Sequence, residues 1–438
     1  MNNFLCKWFV LFPAHYIRGE KILKHLKSVD SVDKLNQDEL CSYQEEKLLK
    51  VVQIACQQGI YESKFNNIHI SLKNIISFFP TLPIVTKRNI RLLHKKLGTP
   101  DNTMDLRSTS GSTGEPLKFY KSKLTTSMMD AVQYSAFKMH GIGIGERQAR
   151  FWGLPANDKA RRLAHLKDLI KNRKRFSAFT LDDCSKQNFF EEMEKFRPTY
   201  FYGYPSLMNE FAKYMKREGL SFSFPLKAII GTGEYAFQNQ IEEIEQAFKA
   251  KYVNEYGCTE VGLIAFDCKH GQLHVMSQNI FLEVIKNGKP VHDEEGEICI
   301  TELTSDYLPF IRYKIGDRGI LNSKKCICGS HYPSIKIMAG RIDDYIITPS
   351  GKRIYDAILA YTLTDGVMRF KAFQKTIDEL QILILPDGKI NRPLFDQYKS
   401  NLNKAIGDDI KITFKYVNEI PKDPSGKQRY FISELSEC

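Results

Sequence analysis

Apolar residues recur along this chain with two alternating periods. Leu207, Phe211, Tyr214 and Met215 share one face of a helix that Ser206 is placed to cap and Gly219 to end. A short apolar run at 226–230 follows and stops at Gly231, Thr232, Gly233 and Glu234, the pattern of a strand entering a loop. Ile241, Ile244 and Phe248 mark a second helix, and residues 252–256 a second strand. This strand–helix–strand order predicts a mixed, largely parallel sheet with ligands at its strand ends. Residues 280–285 and 296–303 then read as strands with hairpin character, with a turn at Asn287 and Gly288.

The last hundred residues form a separate pattern. Strands are expected at 380–385 and 410–417, the second with Ile410, Ile412, Phe414 and Tyr416 on one face. Between them Leu394, Tyr398, Leu402 and Ile406 recur every four residues, as in an amphipathic helix. The expected fold is α/β, with a large N-terminal domain of mixed sheets and helices over 1–340 and a small α+β C-terminal domain over 341–438. No internal repeat interrupts this order.

Composition narrows the class. Of 438 residues, 42% are hydrophobic and 26% charged, as in an ordinary globular protein. The net charge of +12 is spread along the chain, which favours anionic small molecules such as nucleotides over nucleic acid. Aromatic and basic residues do not interleave as in single-strand or RNA binders. Ten cysteines without a disulfide-like spacing point to a reducing, cytoplasmic setting. No stretch is long and apolar enough to span a bilayer. The apolar start at 4–13 contains Lys7 and lacks a cleavage site, so it reads as a packed segment or a peripheral membrane contact.

Five short segments carry chemistry together. Ser108, Thr109, Ser110, Gly111, Ser112, Thr113 and Gly114 form a hydroxyl- and glycine-rich run whose small donors and close backbone suit a polyphosphate. No Gly-Lys-Ser/Thr follows, so it is not a Walker A loop. Tyr256, Gly257, Cys258, Thr259 and Glu260 put a hydroxyl and a carboxylate at a strand terminus, fit for a nucleotide and its metal. Asp317 follows Gly316 and can accept from two neighbouring hydroxyls, as a ribose offers. Arg341, Asp343 and Asp344 form a fourth group, and Lys427 sits in a turn-rich fifth segment. Each alone reads equally well as a turn, a cap or a solvated charge.

Taken in order from Ser108 to Arg429, the five resemble the signature of the adenylate-forming superfamily of acyl- and aryl-CoA ligases. The resemblance is closest to the branch of phenylacetate-CoA ligases and CapK-type capsular polysaccharide proteins. It implies a C-terminal domain that rotates between two half-reactions. A carboxylic acid and ATP give an acyl-adenylate, and a thiol, usually coenzyme A, displaces AMP. An adenylate passed instead to an amine, a sugar or a cofactor is the alternative, as is a homodimer for the assembly. By the resemblance, Ser108 to Gly114 would hold the β- and γ-phosphates. Gly231, Gly233 and Glu234 would lie against the adenine, with Tyr256 and Gly257 beside it. Thr259 would touch the α-phosphate, Glu260 would bind Mg²⁺, and Asp317 would hold the ribose with Arg341 nearby. Asp343 would be the hinge, and Lys427 would bridge carboxylate and phosphate. The loop departs from many members in placing Glu115 where they carry lysine, with Lys118 close enough in sequence to compensate.

Cysteine and histidine spacing adds a metal expectation. Cys268 with His270, and Cys326 with Cys328, are two separated pairs of soft ligands, and His274 is another candidate imidazole. Such pairs clamp loops around structural Zn²⁺. The spacing leaves His270 and His274 open.

Overall fold

A computed structural model of the chain describes residues 2–58, 71–72, 74–98, 100, 104–109, 117–152, 158–177, 183–341, 345–363, 366–386, 392–420 and 430–435. Its centre is a 12-stranded sheet. The strands are β3 (Gln148–Trp152), β4 (Arg173–Ser177), β5 (Tyr200–Gly203), β6 (Ala228–Thr232), β7 (Tyr252–Cys258), β8 (Gly262–Asp267), β9 (Leu273–Val275), β10 (Ile280–Lys286), β11 (Lys289–Pro290), β12 (Glu295–Glu302), β13 (Tyr313–Asn322) and β14 (Ser334–Arg341). Their spatial order is β11-β10-β12-β13-β14-β9-β8-β7-β6-β5-β3-β4.

The expectation of a largely parallel sheet is corrected. The β4-β3-β5-β6-β7 portion is parallel, but the seven other neighbouring pairs are antiparallel. After Cys258 the chain returns through tight turns, as at Cys258↔Gly262, and no crossover helix is available to carry it back in parallel. In the parallel half, β5 and β6 are buried at every position because both faces are covered. One face packs Phe151, Phe201 and Ile229 on Phe211 and Met215 of helix Pro205–Arg217 and on Ile244 and Phe248 of helix Gln238–Phe248. The other packs Tyr200, Tyr202, Ile230 and Val253 on helices Lys123–Met139 and Ile22–Val32.

Helix Pro205–Arg217 starts one residue before the expected cap. Tyr204 occupies the cap position without a side-chain bond, and Pro205 opens the first turn, where its missing N–H costs nothing. Ser206 lies inside the helix, and its backbone N–H donates to Glu234 Oε2 at 3.2 Å. Gly219, at φ +64°, sits just beyond the end as expected.

A hairpin of β1 (Asp105–Ser108) and β2 (Lys118–Lys121) packs on the antiparallel half. Leu117 and Phe119 enter its core, and Lys121 forms a buried ion pair with Glu302 of β12. Burial pushes the Lys121 ammonium down and the Glu302 carboxyl up, each opposed by attraction to its partner.

After Arg341 come a small ribbon, β15 (Tyr345–Ile347) with β16 (Arg353–Tyr355), and a four-stranded sheet. The latter orders β19 (Lys411–Tyr416), β18 (Glu379–Pro386), β17 (Val367–Thr376) and β20 (Phe431–Ser433). Helix Arg392–Ile406 buries Phe395, Tyr398, Leu402 and Ile406 in this smaller domain's core. At the start of the chain, consecutive helical turns over 3–17 bury Cys6, Leu11, Phe12 and His15. Their other face leaves Phe4 60%, Trp8 46% and Phe9 69% exposed. Among the described residues no helix is long and apolar enough to cross a membrane.

Candidate functional site

The hydroxyl-rich run is the connection between β1 and β2. Ser108 lies opposite Lys118, and Thr109 N–H donates to Leu117 O at 3.0 Å while Leu117 N–H donates to Thr109 Oγ1 at 2.9 Å. These two bonds close the base of the loop. Ser110, Gly111, Ser112, Thr113, Gly114 and Glu115 lie outside the described residues. Lys118 is exposed at the loop's exit.

Across the sheet, β6 ends at Gly231 and Thr232, and Gly233 turns the chain at φ +80° toward Glu234. A Cβ on Gly231 would fall 1.6 Å from the Tyr252 hydroxyl, so a side chain there would displace that ring. Glu234 accepts from the first turn of helix Pro205–Arg217, where the unpaired N–H groups favour a carboxylate.

The neighbouring strand β7 carries Tyr256, Gly257 and Cys258, and turns tightly through Thr259 and Glu260 into β8. A Cβ on Gly257 would meet Gly262 O at 2.5 Å, which keeps this approach to glycine. Thr259 is exposed at the turn and Glu260 is buried. Strand β13 engages both ends of this segment. Tyr256 Oη donates to Asp317 Oδ2 at 2.8 Å, and Tyr313 Oη donates to Glu260 Oε1 at 2.8 Å. The Cys258 thiol is pushed well up by burial and by the Glu260 charge, so it stays protonated. One side of the site therefore presents a hydroxyl, two carboxylates and an aromatic ring at adjacent strand ends. Deeper in the sheet, Glu255 accepts from Tyr202 Oη at 2.7 Å and from Gln133 Nε2 at 3.2 Å; burial raises its carboxyl, and these bonds oppose the rise.

A second cluster lies where the β8–β9 turn meets the loop before β14. Cys268, His274, Cys326 and Cys328 each offer a donor atom, all within 4.8 Å of one another. The pairing of β9 with β14 at Ser334↔His274 brings the two loops together. His274 Nδ1 lies 2.8 Å from Tyr332 O; a carbonyl only accepts, so Nδ1 carries the proton and Nε2, 3.4 Å from Cys328 Sγ, presents its lone pair. Burial works against ionisation of Cys326, but the Cys328 N–H and neighbouring donors outweigh it and hold the thiol down at about 7. His270 is exposed and is not in the cluster, so the choice left open by spacing falls to His274. Three thiols and one imidazole match the donor chemistry of a closed tetrahedral zinc site.

Residues 176–304 match the family of AMP-binding enzymes, and residues 346–434 match the CapK C-terminal domain. The chain is 24% identical to Protein CapK of Staphylococcus aureus over 363 residues, covering 81% of this chain and 80% of that protein. The chain belongs to the adenylate-forming superfamily. Its branch is the CapK-like one. It is also 22% identical to phenylacetate-coenzyme A ligase of Thermus thermophilus, over 54% of this chain and 60% of that enzyme. Among solved structures it is similar to 2-hydroxyisobutyryl-CoA ligase with 2-HIB-AMP in the postadenylation state, with TM-score 0.69, 18% identity and 89% of each chain covered. The o-succinylbenzoate coenzyme A synthetase of Bacillus subtilis with ATP and magnesium has TM-score 0.51 and 17% identity, with 74% of this chain and 68% of that one covered. These structures share the fold: a large mixed α/β body and a smaller C-terminal domain.

For this adenylate-forming chain the described residues bring Tyr256, Glu260 and Asp317 together, with Gly231, Gly233 and Glu234 following the adjacent strand. Arg341 lies opposite Asp317 in the β13–β14 register. Lys427, Asp343 and Asp344 lie outside the described residues. Sequence reading missed Tyr313, which holds Glu260 from 53 positions away, and Lys121, which ties the loop's outgoing strand to Glu302 across 181. No local pattern marks either residue, because each acts through a partner that the fold alone brings near.

Proposed function

We propose that the chain activates a carboxylic acid with ATP and transfers the acyl group to a thiol, coenzyme A. The acid's carboxylate oxygen attacks the α-phosphorus, the bond to the β-phosphate oxygen breaks, and pyrophosphate leaves. The thiol sulfur then attacks the acyl carbon and AMP leaves. The observation that carries this reading is the double anchoring of the Tyr256–Glu260 segment on Tyr313 and Asp317 of β13. It holds the carboxylates of Asp317 and Glu260 near one strand end, where nucleotides bind in sheets of this kind, which supports a ribose role for the first and a metal role for the second. Phosphoryl-centre attack needs this positioning and charge neutralisation more than covalent help.

In this proposal Ser108 to Gly114 grip the leaving pyrophosphate. Gly231, Gly233, Glu234, Tyr256 and Gly257 surround the adenine, and Asp317 with Arg341 holds the ribose. Thr259 contacts the α-phosphate. Glu260 holds Mg²⁺, which would neutralise phosphate charge. Lys427, on a mobile domain over 341–438 hinged at Asp343, supplies a point charge during adenylation. Cys268, His274, Cys326 and Cys328 hold a structural Zn²⁺. The enzyme works in the cytoplasm, and the exposed apolar face of residues 3–17 meets a membrane surface.

Pyrophosphate release that requires both ATP and an acid tests the reading. Lys427→Ala is expected to lower it at least 100-fold, in the range for losing a charged transition-state contact; release unaffected by this change would remove the assignment. A second acceptor, an amine or sugar hydroxyl in capsule assembly, is favoured by the CapK relative, whose match covers 81% of the chain against 54% for the CoA ligase relative. AMP release indifferent to added coenzyme A selects this second acceptor.

A further inference from the structure

Arg150 is a half-buried cation that forms no ion pair with a carboxylate among the described residues. It lies on β3 between Arg175 of β4 and Tyr202 of β5, on the sheet face shared with Trp152. Its guanidinium carbon stands 4.5 Å from the Trp152 ring centre and 5.1 Å from that of Tyr202. Trp152 also stacks on Tyr204 at 4.3 Å. The Arg150 Nε is buried without a hydrogen-bond partner, and no ion pair among the described residues reaches the side chain.

The acids nearby are engaged elsewhere. Glu255 is held by Tyr202 and Gln133, Asp168 by Arg173 and Arg175, and Glu234 by the Ser206 N–H. Burial pushes the Arg150 guanidinium down to about 10. A half-buried guanidinium with no ion pair is unfavourable, and aromatic stacking offsets only part of that. A side chain of this kind is retained at such a cost where a ligand completes it.

Its place in the sheet says which part of a ligand. β3 is separated from β7 by β5 and β6, three strand spacings or roughly 14 Å. Arg150 is therefore too far from the Thr259 turn to hold a carboxylate reacting there. It stands two residues before the carboxyl end of β3, opposite Tyr202, the next-to-last residue of β5, and so faces the carboxyl-end side of the sheet, where the distal end of an extended acid would lie.

We propose that Arg150, framed by Trp152 and Tyr202, is a specificity site for a second anionic group, carboxylate or phosphate, at the far end of the acid substrate. This rests on the acid-activation reading for its kinetic consequence but not for binding. The substrate class is a flat or extended acid with an anion at each end. Trp152 stacks on the anion's partner while the guanidinium donates to it.

The chain holds two tryptophans, so Trp8→Phe leaves Trp152 as the sole indole reporter. Its fluorescence is titrated at constant ionic strength with phenylacetate, 4-carboxyphenylacetate and 4-phosphonophenylacetate. One or both dianions are expected to give a saturable change at 10-fold or lower concentration than phenylacetate, and the better one identifies the group. Arg150→Gln in the same background is expected to erase that preference without lowering the melting temperature, because it removes an unpaired charge; Arg150→Lys retains part of the preference. No saturable response to either dianion, or an unchanged preference in Arg150→Gln, overturns the inference, as does a variant that melts earlier because Arg150 is structural. Pyrophosphate release keeps the two readings apart. Turnover of phenylacetate equal to that of the dianions, in both the parent and Arg150→Gln, sinks the second-anion site and leaves acid activation standing. A dianion response at Trp152 without any turnover sinks acid activation and leaves the site.

Discussion

Tyr313 shows what a single residue contributes to the site. Its hydroxyl donates to Glu260 from a strand in the antiparallel half, with the ring wholly buried. Tyr313→Phe keeps the packing and removes the bond. A hydrogen bond to a charged group contributes about 1.5–3 kcal/mol, so kcat/KM for ATP-dependent pyrophosphate release is expected to fall roughly 10- to 100-fold. The requirement for magnesium should rise with it; an unchanged magnesium dependence would separate Tyr313 from the metal carboxylate. Asp168 is a second telling residue. Burial would raise its carboxyl, but hydrogen bonds from Arg175 and Arg173 outweigh burial and hold it below the ordinary value. A depressed folded-state pKa contributes stability above the unfolded aspartate value of about 3.9, and that stability is lost as pH falls through the folded value. Asp168→Asn is expected to cost about 3–5 kcal/mol at pH 7, with the gap narrowing below about pH 4. Urea midpoints for both proteins across this range check it, and a gap of constant size would contradict the linkage.

At the scale of elements, periodicity located helices well and strand pairing poorly. The apolar face of helix Pro205–Arg217 was legible in Leu207, Phe211, Tyr214 and Met215, all buried, because helix contacts repeat within a few residues. Its first turn was misread at Ser206, because a proline at the first position starts a helix without a side-chain cap. Alternation gave the β10–β12 hairpin but not the β9–β14 pairing that closes the cysteine cluster, whose partners are Ser334 and His274. That pairing is what prefers His274 to the exposed His270. Protein purified without added zinc is expected to hold about one zinc per chain. Cys326→Ser should lower affinity by more than the roughly 10- to 100-fold typical of outer-shell changes, and His270→Ala should leave it intact. Zinc well below one per chain, or its loss in His270→Ala, would redraw the site.

For the whole molecule, one prediction concerns its outer surface. Phe4, Leu5, Trp8 and Phe9 are exposed beside helix Asp158–Ile170, which leaves Leu166 and Leu169 exposed and is joined to the first segment by Cys6 Sγ at 3.5 Å from Ile170 O. Residues 2–19 contain Lys7 and Arg18 and no acidic side chain, so an anionic lipid surface complements this face better than a second copy of the same basic chain. Co-sedimentation with phosphatidylcholine vesicles is expected to rise when anionic phosphatidylglycerol is added. Phe9→Ser should weaken it by about 1.5–3 kcal/mol, roughly tenfold or more. Self-association abolished by the same substitution, without vesicle binding, would assign the face to a dimer. The sequence by itself determined three of the helices, the two-part α/β organisation and the ordered motifs, because propensity, periodicity and motif chemistry are local. Tertiary structure alone decided that the sheet is mostly antiparallel after Cys258, that Tyr313 holds Glu260, that His274 joins the cysteines, and that no acid among the described residues pairs with Arg150. Each depends on which distant strands become neighbours, and that is set by packing across the whole sheet.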